Sequence, residues 1–148
     1  DDLKKIIELT GLDMVQLHGE EPPAYLEELP VPAIKSFNVN GPVNLDEIRR
    51  WRPWAYLFDS HSPNGRGGTG KNFDWKWLNE IKGRERIILA GGLNEENVGR
   101  AIKNMRPAIV DVSSAVEFPG GGKDPAKIKS FLKSVKEADL TTTTQLLP

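Results

Sequence analysis

The chain has 148 residues, with 20 Lys and Arg against 21 Asp and Glu, a formal net charge of −1 and 38% apolar residues. This balance excludes a disordered or collagen-like chain and argues against a dedicated nucleic-acid or polybasic membrane binder. Cysteine is absent, which excludes disulfides, thiolate metal sites and cysteine catalysis within this chain. There is neither an apolar run long enough to span a bilayer nor a secretory h-region. The length supports one domain with a real core, but is short for an eightfold α/β barrel, which needs roughly 200 residues or more. The chain opens on Asp1 rather than Met, and a processed or incomplete sequence is expected.

In chain order, Leu3, Ile6 and Ile7 mark an opening helix, capped by Asp2 and stopped at Gly11. A short apolar run over residues 14–17 predicts a first strand, followed by a helix over 22–29. A second strand over 31–37 precedes a helix over 44–51, and a third over 54–58 precedes a helix over 74–81. The fourth strand, 86–90, leads to a helix capped by Asn94, with Val98, Ala101, Ile102 and Met105 at i, i+3, i+4 and i+7. The fifth, 108–112, leads to a helix opened by Asp124 and Pro125, with a buried stripe of Ile128, Phe131, Leu132 and Val135. Residues 1–138 read as the folded part; 139–148, with four consecutive threonines, read as a disordered tail. One helix followed by five βα units implies a parallel sheet with right-handed crossovers. Both an open doubly wound sheet and the later part of a (β/α)8 barrel satisfy this pattern. In either, ligands gather at the carboxyl ends of the strands.

Five stretches at those ends carry chemistry. Residues 65–72 match G-x-x-x-x-G-K and also G-x-G-x-x-G. A P-loop needs Ser or Thr after its lysine, and here Asn72 follows Lys71. Both fingerprints also need a helix directly after the glycines, so a glycine-rich loop able to close over a ligand is the favoured reading. Gly91 and Gly92 follow the fourth strand and precede a helix, a junction whose bare N–H groups suit an anion. Asp111, Ser113 and Ser114 follow the next strand and can complete the same site. Asp59 ends the third strand; partial burial there would raise its pKa toward working pH, against the plainer reading of a turn cap. Gln16 and His18 share one face at the end of the first strand. His61 reads as solvated, and two distant histidines do not suggest zinc. The four tryptophans read as packing between helices and strands, and Arg49, Arg50 and Arg52 as a solvated face.

The blocks Val15-Gln16-Leu17-His18-Gly19-Glu20, Phe58-Asp59-Ser60, Gly67-Gly68-Thr69-Gly70-Lys71 with Phe73-Asp74-Trp75, Ala90-Gly91-Gly92-Leu93 with Asn97-Val98, and Asp111-Val112-Ser113-Ser114 with Val116-Glu117 and Lys123-Asp124 stand in one order. Together they resemble phosphoribosylanthranilate isomerase of tryptophan biosynthesis, from Asp1 to about Glu137. The resemblance implies an α/β fold, an incomplete (β/α)8 TIM barrel with strands four to eight and their helices. It implies an isomerase that carries out the Amadori rearrangement of N-(5-phosphoribosyl)anthranilate, in the cytoplasm and without a cofactor or metal. The implied partner is a phosphorylated sugar substrate, not nucleic acid or a membrane, with association through exposed barrel edges.

By the same resemblance Asp59 is the general acid. Gly91, Gly92, Ser113 and Ser114 hold phosphate; Gly68 and Gly70 belong to a closing loop; Gln16, His18 and Asp111 line the substrate pocket. The family's cysteine base, from a motif at the end of strand one, is not in this chain, so the isolated chain is expected to be inactive. Ala115 stands where the family reads glycine, and a positive φ there would cost about 1 kcal/mol. The rivals are a P-loop nucleotide hydrolase and a non-catalytic five-stranded module similar to a receiver domain.

Overall fold

A computed structural model describes residues 2–60, 74–83 and 85–144. It consists of α1 (Asp2–Thr10), β1 (Val15–Leu17), β2 (Ala33–Val39), α2 (Leu45–Arg49), β3 (Ala55–Ser60), β4 (Ile87–Leu89), α3 (Val98–Met105), β5 (Ile109–Val110) and α4 (Pro125–Thr144), with 3-10 turns at Pro23–Glu28, Trp75–Leu78 and Ser114–Val116. All strand pairs are parallel, and the sheet order is β1-β2-β3-β4-β5. A doubly wound sheet must reverse its order at a switch point, and a receiver-like sheet does so at its first strands. The sequential order contains no reversal and excludes both.

The pairing register separates two faces. Lys35 lies beside Tyr56 and Phe37 beside Phe58, while Ser36 lies beside Leu57 and Asn38 beside Asp59. The first set faces the helices. Tyr56, Phe58, Ile87 and Leu89 pack there with Ile48, Leu78, Val98, Ala101, Ile102, Met105 and Phe131. Nearer β1, Val15, Leu17 and Ala33 pack with Ile7 of α1 and Tyr25, Leu26 and Leu29. Lys35 is buried in this outer layer. Its ammonium donates to Glu21 at 2.7 Å and to the Gly19 carbonyl at 2.6 Å, and lies 4.5 Å from the Trp51 ring centre. On the other face Ala55, Leu57, Ile88 and Ala90 bury one another, with Ile34 at their margin and no helix side chain among them.

The helix starts follow the local chemistry. Asn44 accepts from the N–H groups of Asp46 and Glu47, and Asp124 from those of Ala126 and Lys127. Gly11 closes α1 at φ +66°, its N–H donating to the Ile7 carbonyl.

Several expectations need correction. Asp2 is the first residue of α1, not its cap. The segments 22–29 and 74–81 form short 3-10 turns rather than full helices. β2 runs on to Val39, two residues beyond the apolar run, because Asn38 still pairs with Asp59. In the α4 stripe Leu132 is exposed while Phe131 is buried. Trp54 is also exposed, with the Arg86 guanidinium 4.2 Å from its ring centre. The helix α4 continues through Thr144, into the segment expected to be a disordered tail. The Thr141 hydroxyl donates to the Glu137 and Ala138 carbonyls, so a threonine adds its own bonds to the helix. Ala115 lies in a 3-10 turn; among the described residues only Arg106 combines a side chain with positive φ. The cost anticipated at Ala115 therefore does not arise.

Candidate active site

Alternation along β3 sends Ala55, Leu57 and Asp59 to the face without helices, and Asp59 ends that row where the strand gives out. Its neighbour across the ladder is Asn38. On the other side stands Gly91, at φ +78°. A Cβ placed on Gly91 would overlap Asp59 Oδ1, the Ser60 hydroxyl and the Ser60 main-chain nitrogen. Only glycine tolerates both that backbone and that approach. The carboxyl group of one strand end is thus in contact with the glycine turn of the next.

Burial raises the Asp59 pKa above the ordinary carboxylate value of 3.8; a bond from the Ser60 N–H and the charge of His18 lower it, Asp111 raises it, and the net direction is upward. His18, from the end of β1, and Asp111, from the end of β5, therefore both act on Asp59. Gln16 is exposed on the same face as Ile34, its register partner.

Gly92, also at positive φ, is held by the buried Asn97. The Asn97 amide donates to the Gly92 carbonyl at 2.9 Å, and its oxygen accepts from the Asn94 N–H at 2.9 Å. Asn94 in turn accepts from the N–H groups of Glu96 and Asn97, opening the turn into α3. Ser113 and Ser114 follow β5. Among the described residues, the N–H groups of Gly92, Ser113 and Ser114 have no hydrogen-bond partner. Unpartnered N–H groups after strand ends are of the kind that can receive an anion.

The structure thus sets Asp59 against Gly91, with the charges of His18 and Asp111 felt at Asp59 and with Gly92, Ser113 and Ser114 on the turns that follow β4 and β5. Gly68, Gly70 and the rest of the glycine-rich stretch 65–72 lie outside the described residues, as does His61. Asn38 was missed because the apolar run stops at Phe37; extending the alternation of Ile34 and Ser36 by one step finds it.

A family model described as N-(5′-phosphoribosyl)anthranilate (PRA) isomerase matches residues 1–134. The chain belongs to this family. The N-(5′-phosphoribosyl)anthranilate isomerase of Syntrophomonas wolfei is 63% identical over 137 residues, which cover 93% of this chain and 67% of the relative. The crystal structure of phosphoribosyl anthranilate isomerase from Thermus thermophilus is 30% identical, with a TM-score of 0.77 over 92% of this chain and 66% of that one. A further phosphoribosyl anthranilate isomerase, 35% identical with a TM-score of 0.67 over 90% of this chain and 64% of its own, was solved in complex with reduced 1-(o-carboxyphenylamino)-1-deoxyribulose 5-phosphate. The chain spans about two thirds of the length of the relatives it matches. Among its described residues no helix is long and apolar enough to cross a membrane.

Proposed function

We propose that this chain supplies the general acid and the phosphate site for the Amadori rearrangement of N-(5-phosphoribosyl)anthranilate to 1-(2-carboxyphenylamino)-1-deoxyribulose 5-phosphate. The observation that carries this reading is the contact of Asp59 with Gly91. It sets a carboxyl group whose pKa is raised by burial against the glycine turn that continues into Gly92.

The chemistry follows from those parts. The phosphate rests on the turns of Gly91, Gly92, Ser113 and Ser114, which fixes the ribose at the rim. Asp59 gives its proton to the ribose ring oxygen as the bond from C1 to that oxygen breaks, and the nitrogen lone pair forms the C1 iminium. A base then takes the C2 proton, and the resulting enolamine tautomerises to the ketone. Oxidation level is conserved overall, so the reaction calls for no redox cofactor. The first step needs a proton donor, and burial raises the Asp59 pKa in the direction that favours its protonated form. Gln16, His18 and Asp111 line the pocket beside it.

In this proposal β1 to β5 are strands four to eight of an eight-stranded barrel. Support comes from the sequential strand order, from the length shared with relatives, and from the bare face. On that face Ile109 is 42% exposed and the buried Ser36 hydroxyl has no partner. The base would come from the strands that complete the barrel, so this chain alone would not turn over substrate. The cytoplasm is the proposed setting.

The test is to mix this chain with a polypeptide carrying the first three strands of a family member and to follow product formation. Turnover should appear only in the mixture, and Asp59→Ala should lower it by about 10²–10⁴-fold. Turnover by the chain alone would overturn the barrel-sector reading, and near-normal turnover of Asp59→Ala would remove the acid.

A further inference from the structure

Beyond Ser114 the chain folds back on itself. Glu117 and Lys123 form an isolated antiparallel bridge. The Phe118 N–H donates to the Gly122 carbonyl at 2.9 Å, and the Asp124 N–H to the Val116 carbonyl at 2.8 Å. This reversal passes through Gly120, Gly121 and Gly122, all at positive φ. It carries the Lys123 ammonium back to Ser113, where it donates to the Ser113 carbonyl at 3.0 Å, the Ser113 hydroxyl at 3.3 Å and Glu117 Oε1 at 2.7 Å. Lys127 holds the other end of the reversal, donating to the Glu117 carbonyl at 2.7 Å.

Valence decides what Lys123 does. An ammonium has three N–H donors, and all of them are engaged, so Lys123 has none left for a phosphate. The Ser113 hydroxyl is engaged too, and it does not cap the turn that follows. What remains for an anion is the main chain. The Ser113 carbonyl and the Ser114 N–H belong to one planar trans peptide unit, in which they point in opposite directions. A cation anchored on the carbonyl fixes the aim of the N–H at the other end. It also polarises the unit and strengthens that donor. The carbonyl's second lone pair is taken by the Val116 N–H, which donates to it at 3.3 Å.

We infer that Lys123, held by Glu117, is a positioning residue that orients and polarises the Ser113–Ser114 peptide unit so that the Ser114 N–H serves the phosphate. This rests on the phosphate site proposed above. Glu117 stays charged beside the lysine, because its bond and ion pair with Lys123 lower its pKa below the ordinary carboxylate range. The pair is solvent-exposed, and exposed pairs contribute little to global stability. Its effect is therefore read in binding.

The experiment titrates inorganic phosphate into the full chain and follows amide nitrogen–proton spectra. In the unsubstituted chain the Gly92, Ser113 and Ser114 signals should move together. Lys123→Met should weaken phosphate binding by about tenfold, the scale of one charge-assisted hydrogen bond, and leave the urea midpoint unchanged. Lys123→Arg should restore most of the affinity. Glu117→Gln gives the sharpest sign. Removing an acid near an anion would tighten binding by relieving repulsion, whereas loosening the clamp weakens it; weakening is expected. In the mixture with the first three strands, Lys123→Met should raise KM with little change in kcat. An unchanged phosphate affinity in Lys123→Met, or tighter binding in Glu117→Gln, would overturn the clamp and leave the phosphate site standing. Unmoved Gly92, Ser113 and Ser114 signals in the unsubstituted chain would overturn the site itself.

Discussion

On the helix-covered face of the sheet, Tyr56, Phe58, Ile87 and Leu89 meet residues from α2, α3 and α4 in one continuous apolar layer. On the opposite face Ala55, Leu57, Ile88 and Ala90 pack with each other and with Ile34, and the strands then end in Asn38 and Asp59. Aromatic side chains and residues of three helices meet on one face, while the strand ends of the other carry polar groups. The difference teaches a division of labour: burial on one face holds the strands in register, and that register sets the acid at the strand ends of the other.

The sharpest contrast is between adjacent residues of β3. Phe58→Ala empties a fully buried aromatic site and should destabilise by about 3–5 kcal/mol. Leu57→Ala removes a smaller side chain from a face with fewer partners and should cost about 2 kcal/mol, the low end for such truncations. Urea unfolding of the two variants compares them directly. A larger loss for Leu57→Ala would break the division.

A second contrast sets two glycines of positive φ against each other. Gly91→Ala puts a Cβ onto Asp59 and Ser60, while Gly120 has nothing within 4 Å of its own Cβ position. Gly120→Ala should cost only the backbone strain, about 1–3 kcal/mol. Gly91→Ala should cost about 1–3 kcal/mol more by forcing the strand end apart. The same urea experiment reads both, and equal losses would mean that the approach of Gly91 to Asp59 carries no strain.

The sequence made the outer face far more legible than the rim. Val98, Ala101, Ile102 and Met105 repeat with helical spacing and are all buried, because periodicity records burial against a neighbour. Asn44, Asp124 and Gly11 mark their helix ends through local bonds that a short stretch of sequence contains in full. The convergence of Asp59, Gly91, His18 and Asp111 is different. It depends on register between strands far apart in the chain, and periodicity holds no information about register. Strand-end position and local chemistry singled those residues out, and the family resemblance assigned their roles; the register that sets them beside one another is read only from the coordinates. Asn38 beside Asp59 and Lys123 against Ser113 were overlooked for the same reason: each meets its partner across a ladder or a turn.

Asp59 offers a smaller test, because burying a carboxylate costs stability. Its pKa is raised in the folded chain, so the folded state holds the proton more firmly than the unfolded one. The stability linked to that proton is present below the unfolded value of 3.8 and is lost as pH rises through the higher folded value. Asp59→Asn removes the titration while keeping the shape. Its urea midpoint should exceed that of the unsubstituted chain at pH 7, and the advantage should vanish near pH 3. A lower midpoint at pH 7 would show that the carboxylate is stabilised where it stands.

The least effect belongs to the outermost layer. Phe131 and Leu132 are neighbours on α4, yet Phe131 is 4% exposed and Leu132 is 51% exposed. A stripe drawn at i, i+3, i+4 and i+7 includes both, because the sequence spacing cannot tell the centre of an apolar face from its edge. Area removed from water governs what each is worth. Leu132→Ala loses little buried area and gains helix propensity, so its change in stability should stay within about 0.5 kcal/mol. Phe131→Ala opens the apolar layer on the inner side of α4, which packs against α3 and the turn at Ser114–Val116, and belongs with Phe58→Ala in size. Thermal unfolding of the two α4 variants separates them; a loss at Leu132 comparable to that at Phe131 would place a second partner over the outer surface of α4.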